Sequence, residues 1–83
     1  VTGWLKASAL AERHNIPLSS HLFQEFSAHM LSVTANADWL ERMDIASSIL
    51  DSSIILDNGY AKPSEEIGAG FSWKESEIQK YLV

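Results

Sequence analysis

Cysteine is missing from these 83 residues, which excludes disulfides and thiolate metal sites and fits a reducing compartment. Basic residues are few: six Lys and Arg stand against eleven Asp and Glu, a formal charge of −5. They are scattered, so the chain lacks the clustered basic stripe that a nucleic-acid surface needs. No apolar run is long enough to span a bilayer, and no basic, apolar, small-residue signal opens the chain. Internal repeats and low-complexity stretches are absent as well. The opening Val1-Thr2-Gly3-Trp4, without an initiator methionine, fits a sequence that starts in the middle of a larger fold. The expectation is a cytoplasmic enzyme or a part of one.

What is present is a composition 46% hydrophobic and 20% charged, that of a folded segment. A domain this short buries only about 60–65% of its unfolded surface, so its stability alone is marginal. Trp4 to about His14 is rich in good helix formers, with Thr2 placed to cap the start. Asn15 accepts a left-handed conformation and Pro17 forbids continuation, which ends that helix. Residues 16–20 then read as a short strand, and a second helix is expected from about Leu22 to Val33. Phe23, Phe26, Met30 and Leu31 form its apolar stripe, expected to face the core. Ala37 to Glu41 reads as another strand, which gives the helix–strand alternation of a parallel α/β fold. Beyond it the rhythm changes. A helical turn is expected over Ile45 to Leu50, then a strand at Ile54 to Leu56 entering a tight hairpin at Asp57-Asn58-Gly59. A loop covers Lys62 to Gly70, and Lys74 to Leu82 closes the chain as an amphipathic helix carrying Ile78, Tyr81 and Leu82. Two helix–strand units cannot close a barrel, which needs about 250 residues, and their outer edges invite association.

His21 falls where the first strand gives way to a helix, and in parallel α/β barrels such strand ends line the active site. Imidazole titrates near neutrality and suits a general base, although a histidine here can equally cap the helix or fill a turn. Glu41 ends the next strand twenty residues later, a reasonable repeat for one strand–helix unit. Two neighbouring strands would then bring an imidazole and a carboxyl to one rim; the plainer alternative is a surface glutamate paired with Arg42. His21, Glu25 and His29 also stand four residues apart and would share a face if the helix reached back to His21. That set offers only three of the four ligands a structural zinc takes, and Ser19-Ser20 reads as the helix beginning. Gly68-Ala69-Gly70 lacks the spacing and context of a dinucleotide motif. Ser19 and Ser20 lack the nucleophile elbow of α/β-hydrolases, and His14 reads as a surface residue compensating a helix dipole.

Several blocks carry a family resemblance: Gly3 to Ala11, Ile16 to Glu25 with Ser19-Ser20-His21-Leu22-Phe23-Gln24-Glu25 at its centre, Ser27-Ala28-His29, and Ala37 to Arg42. Gly68-Ala69-Gly70-Phe71 and the ending Glu77 to Val83 extend it over nearly the whole chain. The sequence resembles the last third of mandelate racemase-like enzymes, the mandelate racemase/muconate lactonizing enzyme family of the enolase superfamily. The resemblance implies an α/β fold in which residues 1–50 form the closing units of a modified (β/α)7β TIM-type barrel. Residues 51–83, with a hairpin and a helix, would return toward an N-terminal capping domain. It implies a parent enzyme in which magnesium holds a carboxylate substrate while a base removes the α-proton. His21 matches that base, and Glu41 matches the carboxylic acid that hydrogen-bonds the developing ene-diolate. Leu22 and Met43 match positions on the apolar side of the substrate pocket. The family's metal carboxylates, its second base (a lysine) and the aspartate that orients the histidine would all precede Val1. Asp38, Asp44 and Glu25 do not replace them by position, so this chain alone is expected to bind no catalytic metal and to turn over nothing. The implied substrate is a 2-hydroxy acid of the mandelate kind, the implied assembly a homo-oligomer, with no nucleic-acid or membrane partner. An acid-sugar dehydratase of the same superfamily, or a non-catalytic truncated structural or assembly module, stands as the alternative.

Overall fold

The structure is a computed structural model describing residues 1–51 and 54–83. Helix α1 spans Thr2–Arg13. Val1 occupies the cap position without a side-chain hydrogen bond, so Thr2 is the first helical residue and not the expected cap. Its end is the expected one. Asn15 takes φ 54°, its N–H bonds the Glu12 carbonyl and the Ile16 N–H bonds the Ala11 carbonyl, a Schellman closure placed just ahead of Pro17. No residue of α1 is buried, but the Trp4 indole N–H donates to Thr34 Oγ1 at 2.8 Å and ties the helix to the body.

The two expected strands survive as a short parallel contact. Leu18 and Ala37 form a single parallel bridge, carried by Leu18 N–H to Asn36 O and Asp38 N–H to Leu18 O, each 2.9 Å. A further bond, Ser20 N–H to Trp39 O at 2.9 Å, is the last between the main chains. Serine hydroxyls then take over: Trp39 N–H donates to Ser19 Oγ at 3.2 Å and Glu41 N–H to Ser20 Oγ at 3.0 Å. Side-chain acceptors in place of carbonyls break the regular ladder, so neither 16–20 nor 37–41 becomes a full strand.

Helix α2 runs Gln24–Ser32, two residues later than expected, because Leu22 and Phe23 both adopt left-handed backbone, φ 57° and 45°. The expected apolar stripe is not the core. Phe23 is 60% exposed and Phe26 49%, whereas Gln24, Glu25, Ser27 and Ala28 are buried. Phe26 still finds an aromatic neighbour, the Phe71 ring, edge-on at 5.1 Å, and Phe71 in turn meets Trp73 at 5.9 Å.

The stretch expected as a helical turn makes one turn, closed by Ile49 N–H to Ala46 O at 3.0 Å, and Leu50 leaves it for a strand. Strand β1 (Leu50–Asp51) pairs antiparallel with β4 (Ser72–Trp73). Strands β2 (Ile54–Asp57) and β3 (Tyr60–Pro63) form the expected hairpin, with Asn58 at φ 48° and Gly59 at φ 79° supplying the positive-φ pair of a two-residue turn. The hairpin packs against α2. The last helix is shorter than expected: α3 (Glu75–Ile78) tightens into a 3₁₀ turn over Gln79–Tyr81, and Tyr81 and Leu82 stay exposed. Among the described residues no helix is long and apolar enough to cross a membrane.

Candidate active site

The parallel contact decides where the chemistry-bearing side chains end up. With Ser20 paired to Trp39, the chain leaves both segments on the same side, and His21 and Glu41 come together there. His21 Nε2 lies 3.8 Å from Glu41 Oε2. The imidazole is 82% exposed and the carboxyl 39%, so the pair sits at an open rim and is not absorbed into helix packing.

Glu41 is held more firmly than its exposure implies. The Leu22 N–H donates to Glu41 Oε2 at 2.7 Å, and the Glu41 backbone N–H donates to the buried Ser20 hydroxyl. Leu22, the donor of the first bond, is left-handed, a conformation that costs a residue with a Cβ about 1–2 kcal/mol. Leu22 and Phe23 both carry that cost, and strain of this kind gathers at functional sites. Ser27, buried on α2, offsets it by donating its hydroxyl to the Leu22 carbonyl at 2.9 Å and its N–H to the Phe23 carbonyl at 2.9 Å.

Of the expected substrate-side residues, Leu22 is half-buried directly after His21, and Met43 is exposed two positions after Glu41. Leu40 and Arg42, the residues on either side of Glu41 in the chain, line a different concavity of about 560 Å³ between α2 and the hairpin, bounded also by Leu31, Trp39 and Tyr60. That concavity contains neither His21 nor Glu41.

The three-residue zinc arrangement does not form. His21 precedes α2, so it cannot share a helical face with Glu25 and His29. Glu25 is buried and receives the Gln24 side-chain amide at 3.3 Å, and His29 Nε2 lies buried without a hydrogen-bond partner among the described residues, in the space a Cβ on Gly70 would enter at 3.0 Å. Among the described residues no group of three or more His, Asp or Glu is arranged to hold a metal ion, so magnesium finds no ligand set in them. His14 is exposed at the C-terminus of α1, as expected. The supporting serines were not singled out by sequence reasoning. Ser19 and Ser20 read as a helix start and as part of a family block, and Ser27 as part of another, but no local pattern assigns any of them a hydrogen-bonding role.

The site is a single parallel bridge that presents a histidine and a carboxyl at one end, followed by a hairpin packed back on the helix. The chain belongs to the enolase C-terminal domain-like family, whose model matches residues 1–77. It is also similar to the crystal structure of an enolase from Bradyrhizobium complexed with magnesium and mandelic acid, at 40% identity and a TM-score of 0.89, over 99% of this chain and 22% of that one. An enolase from alpha proteobacterium BAL199 with bound magnesium matches at 37% identity and a TM-score of 0.85, over 100% of this chain and 23% of that one. The chain therefore spans less than a quarter of the length of these two structures.

Proposed function

We propose that this chain supplies the proton-abstracting base and the hydrogen-bonding acid of a metal-dependent racemase acting on a 2-hydroxy acid of the mandelate kind. The carrying observation is the placement of His21 Nε2 and Glu41 Oε2 3.8 Å apart at one open rim. In this reading residues 1–50 are closing units of a modified (β/α)7β barrel, and residues 51–83 return toward a capping domain. Magnesium would be held by carboxylates outside the described residues and would hold the substrate carboxylate in place.

The chemistry follows from the two side chains. Neutral His21 takes the α-proton on Nε2, and the electron pair of the broken C–H bond moves into an ene-diolate. Charge grows on the substrate carboxylate oxygen, where the protonated Glu41 carboxyl donates a hydrogen bond that strengthens as the charge develops. Return of a proton to the opposite face needs a second base, which lies outside this chain. Leu22, apolar and adjacent to His21 in the chain, favours an aromatic substrate over a sugar acid, whose hydroxyls call for polar partners, and Met43 is assigned to the same apolar side of the pocket. The mandelic acid bound to the Bradyrhizobium enolase supports the same substrate class.

The test is deuterium exchange at the α-carbon of each mandelate enantiomer, using the protein expressed from its full coding sequence. His21→Asn is expected to abolish exchange of the enantiomer whose α-hydrogen faces His21. Exchange of both enantiomers at the unmutated rate would overturn the assignment.

A further inference from the structure

We propose that Ser27 is a positioning residue for the hydrogen bond to the developing ene-diolate: its hydroxyl holds the Leu22 carbonyl, and the left-handed Leu22 then aims its N–H at Glu41 Oε2, leaving Oε1 to carry the hydrogen of that bond. The inference rests on the reading of Glu41 as a hydrogen-bond donor.

Ser27 makes two bonds of different kinds. Its N–H to Phe23 O, 2.9 Å, is an ordinary first-turn bond that any residue but proline would make. Its Oγ to Leu22 O, also 2.9 Å, reaches five residues back and lies outside the helical pattern. The hydroxyl is therefore what distinguishes serine from alanine at this buried position. Neither Leu22 nor Phe23 has a local preference for positive φ, so an external bond must hold the turn. Releasing the Leu22 carbonyl lets its peptide planes rotate back toward ordinary backbone. The N–H that donates to Glu41 Oε2 at 2.7 Å would swing with them.

The consequence for Glu41 is a choice between its oxygens. Oε2 accepts the Leu22 N–H and faces His21 Nε2 at 3.8 Å, so nitrogen-bearing groups occupy it on two sides. A neutral carboxyl has one O–H donor, and an oxygen already fixed as acceptor leaves the other to bear the hydrogen. A rotated Glu41 presents the wrong oxygen, and small misplacements at a reacting centre are expensive.

The experiment compares Ser27→Ala and Ser27→Thr with the unmutated protein, expressed from its full coding sequence with isotopically labelled leucine. The Leu22 amide proton is expected to move upfield in Ser27→Ala as its bond to Glu41 weakens, and to return in Ser27→Thr, which keeps the hydroxyl. In the same samples kcat for mandelate is expected to fall about 10- to 100-fold in Ser27→Ala with KM little changed, and to recover in Ser27→Thr. Should the alanine variant not fold, Ser27→Cys, with its weaker donor, is expected to shift both readouts the same way. An unmoved Leu22 amide overturns the inference, and so does an amide that moves while kcat does not. An unmutated protein without α-proton exchange overturns the reading of Glu41 itself, which is distinguishable because the amide shift reports the Ser27–Leu22–Glu41 geometry without any turnover.

Discussion

At the scale of single residues, the site is an open histidine beside a carboxyl that backbone hydrogen bonds orient. His21 is exposed and touches little else, so its substitution acts on chemistry more than on folding. Glu41 accepts from Leu22 and, in the proposed function, also donates to substrate, and Glu41→Gln separates the two duties. The amide oxygen still accepts the Leu22 N–H, while the amide N–H₂ replaces a stronger acid. We expect Glu41→Gln to retain the unmutated melting temperature but to lose about 10²-fold or more in kcat, the cost typical of weakening one oxyanion donor. A variant that melts early and keeps its rate would show that Glu41 serves the fold. Both residues were legible in the sequence because each follows a strand-like segment at a one-unit spacing. Ser20 and Ser27 were not, since a serine's value here depends on which distant backbone group its hydroxyl meets.

At the scale of elements, the turns carry the testable content. Gly59 and Gly70 both have positive φ, near 79°, but a Cβ on Gly59 meets open space while one on Gly70 comes within 3.0 Å of His29 Nε2 and Ser64 Cβ. Gly59→Ala is expected to cost about 1–2 kcal/mol, the backbone penalty alone. Gly70→Ala is expected to cost more, because either the loop or the histidine must shift; equal denaturation midpoints for the two variants would contradict this. The turn after the site has its own pH dependence. Asp44 is held below the usual carboxylate range by hydrogen bonds from the Ser47 side chain and backbone, the N–H bond measuring 3.1 Å. A lowered folded-state pKa contributes stability above the unfolded value and loses it as pH falls through the folded one. Asp44→Ala is therefore expected to destabilise at neutral pH and to match the unmutated protein in acid below the carboxylate range, read by denaturation at both. The hairpin was legible because Asn-Gly needs no partner to favour its turn. The start of α2 was not, because no local rule puts Leu22 and Phe23 in left-handed backbone.

At the scale of the whole molecule, little apolar surface is enclosed. Ala28 and Leu50 are the buried hydrophobic residues among those described, while Phe23, Phe26, Trp39, Ile55, Leu56 and Trp73 are all about half-exposed or more. The radius of gyration, 14.4 Å, exceeds the roughly 12 Å of a compact domain of this length. So many exposed large apolar side chains on so short a chain leave surface for a partner to cover. The 83-residue chain on its own is expected to bind a hydrophobic dye, to associate with rising concentration, and to exchange no α-proton of mandelate in the presence of magnesium. A monomer by light scattering that melts cooperatively and binds no dye would show that the chain needs nothing further to cover it.

The sequence by itself determined what is local. Helix formers followed by Asn15 and Pro17 specify α1 and its end, Asn58-Gly59 specifies the hairpin, and the blocks around His21 and Glu41 specify the family, each through preferences that act within a few residues. Tertiary structure alone decided which face of α2 is buried, that Phe23 and Phe26 remain outward, and that Leu22 turns left-handed to meet Glu41. Those outcomes depend on hydrogen bonds and burial between segments about twenty residues apart, and a preference that acts over one turn of chain carries no information about them.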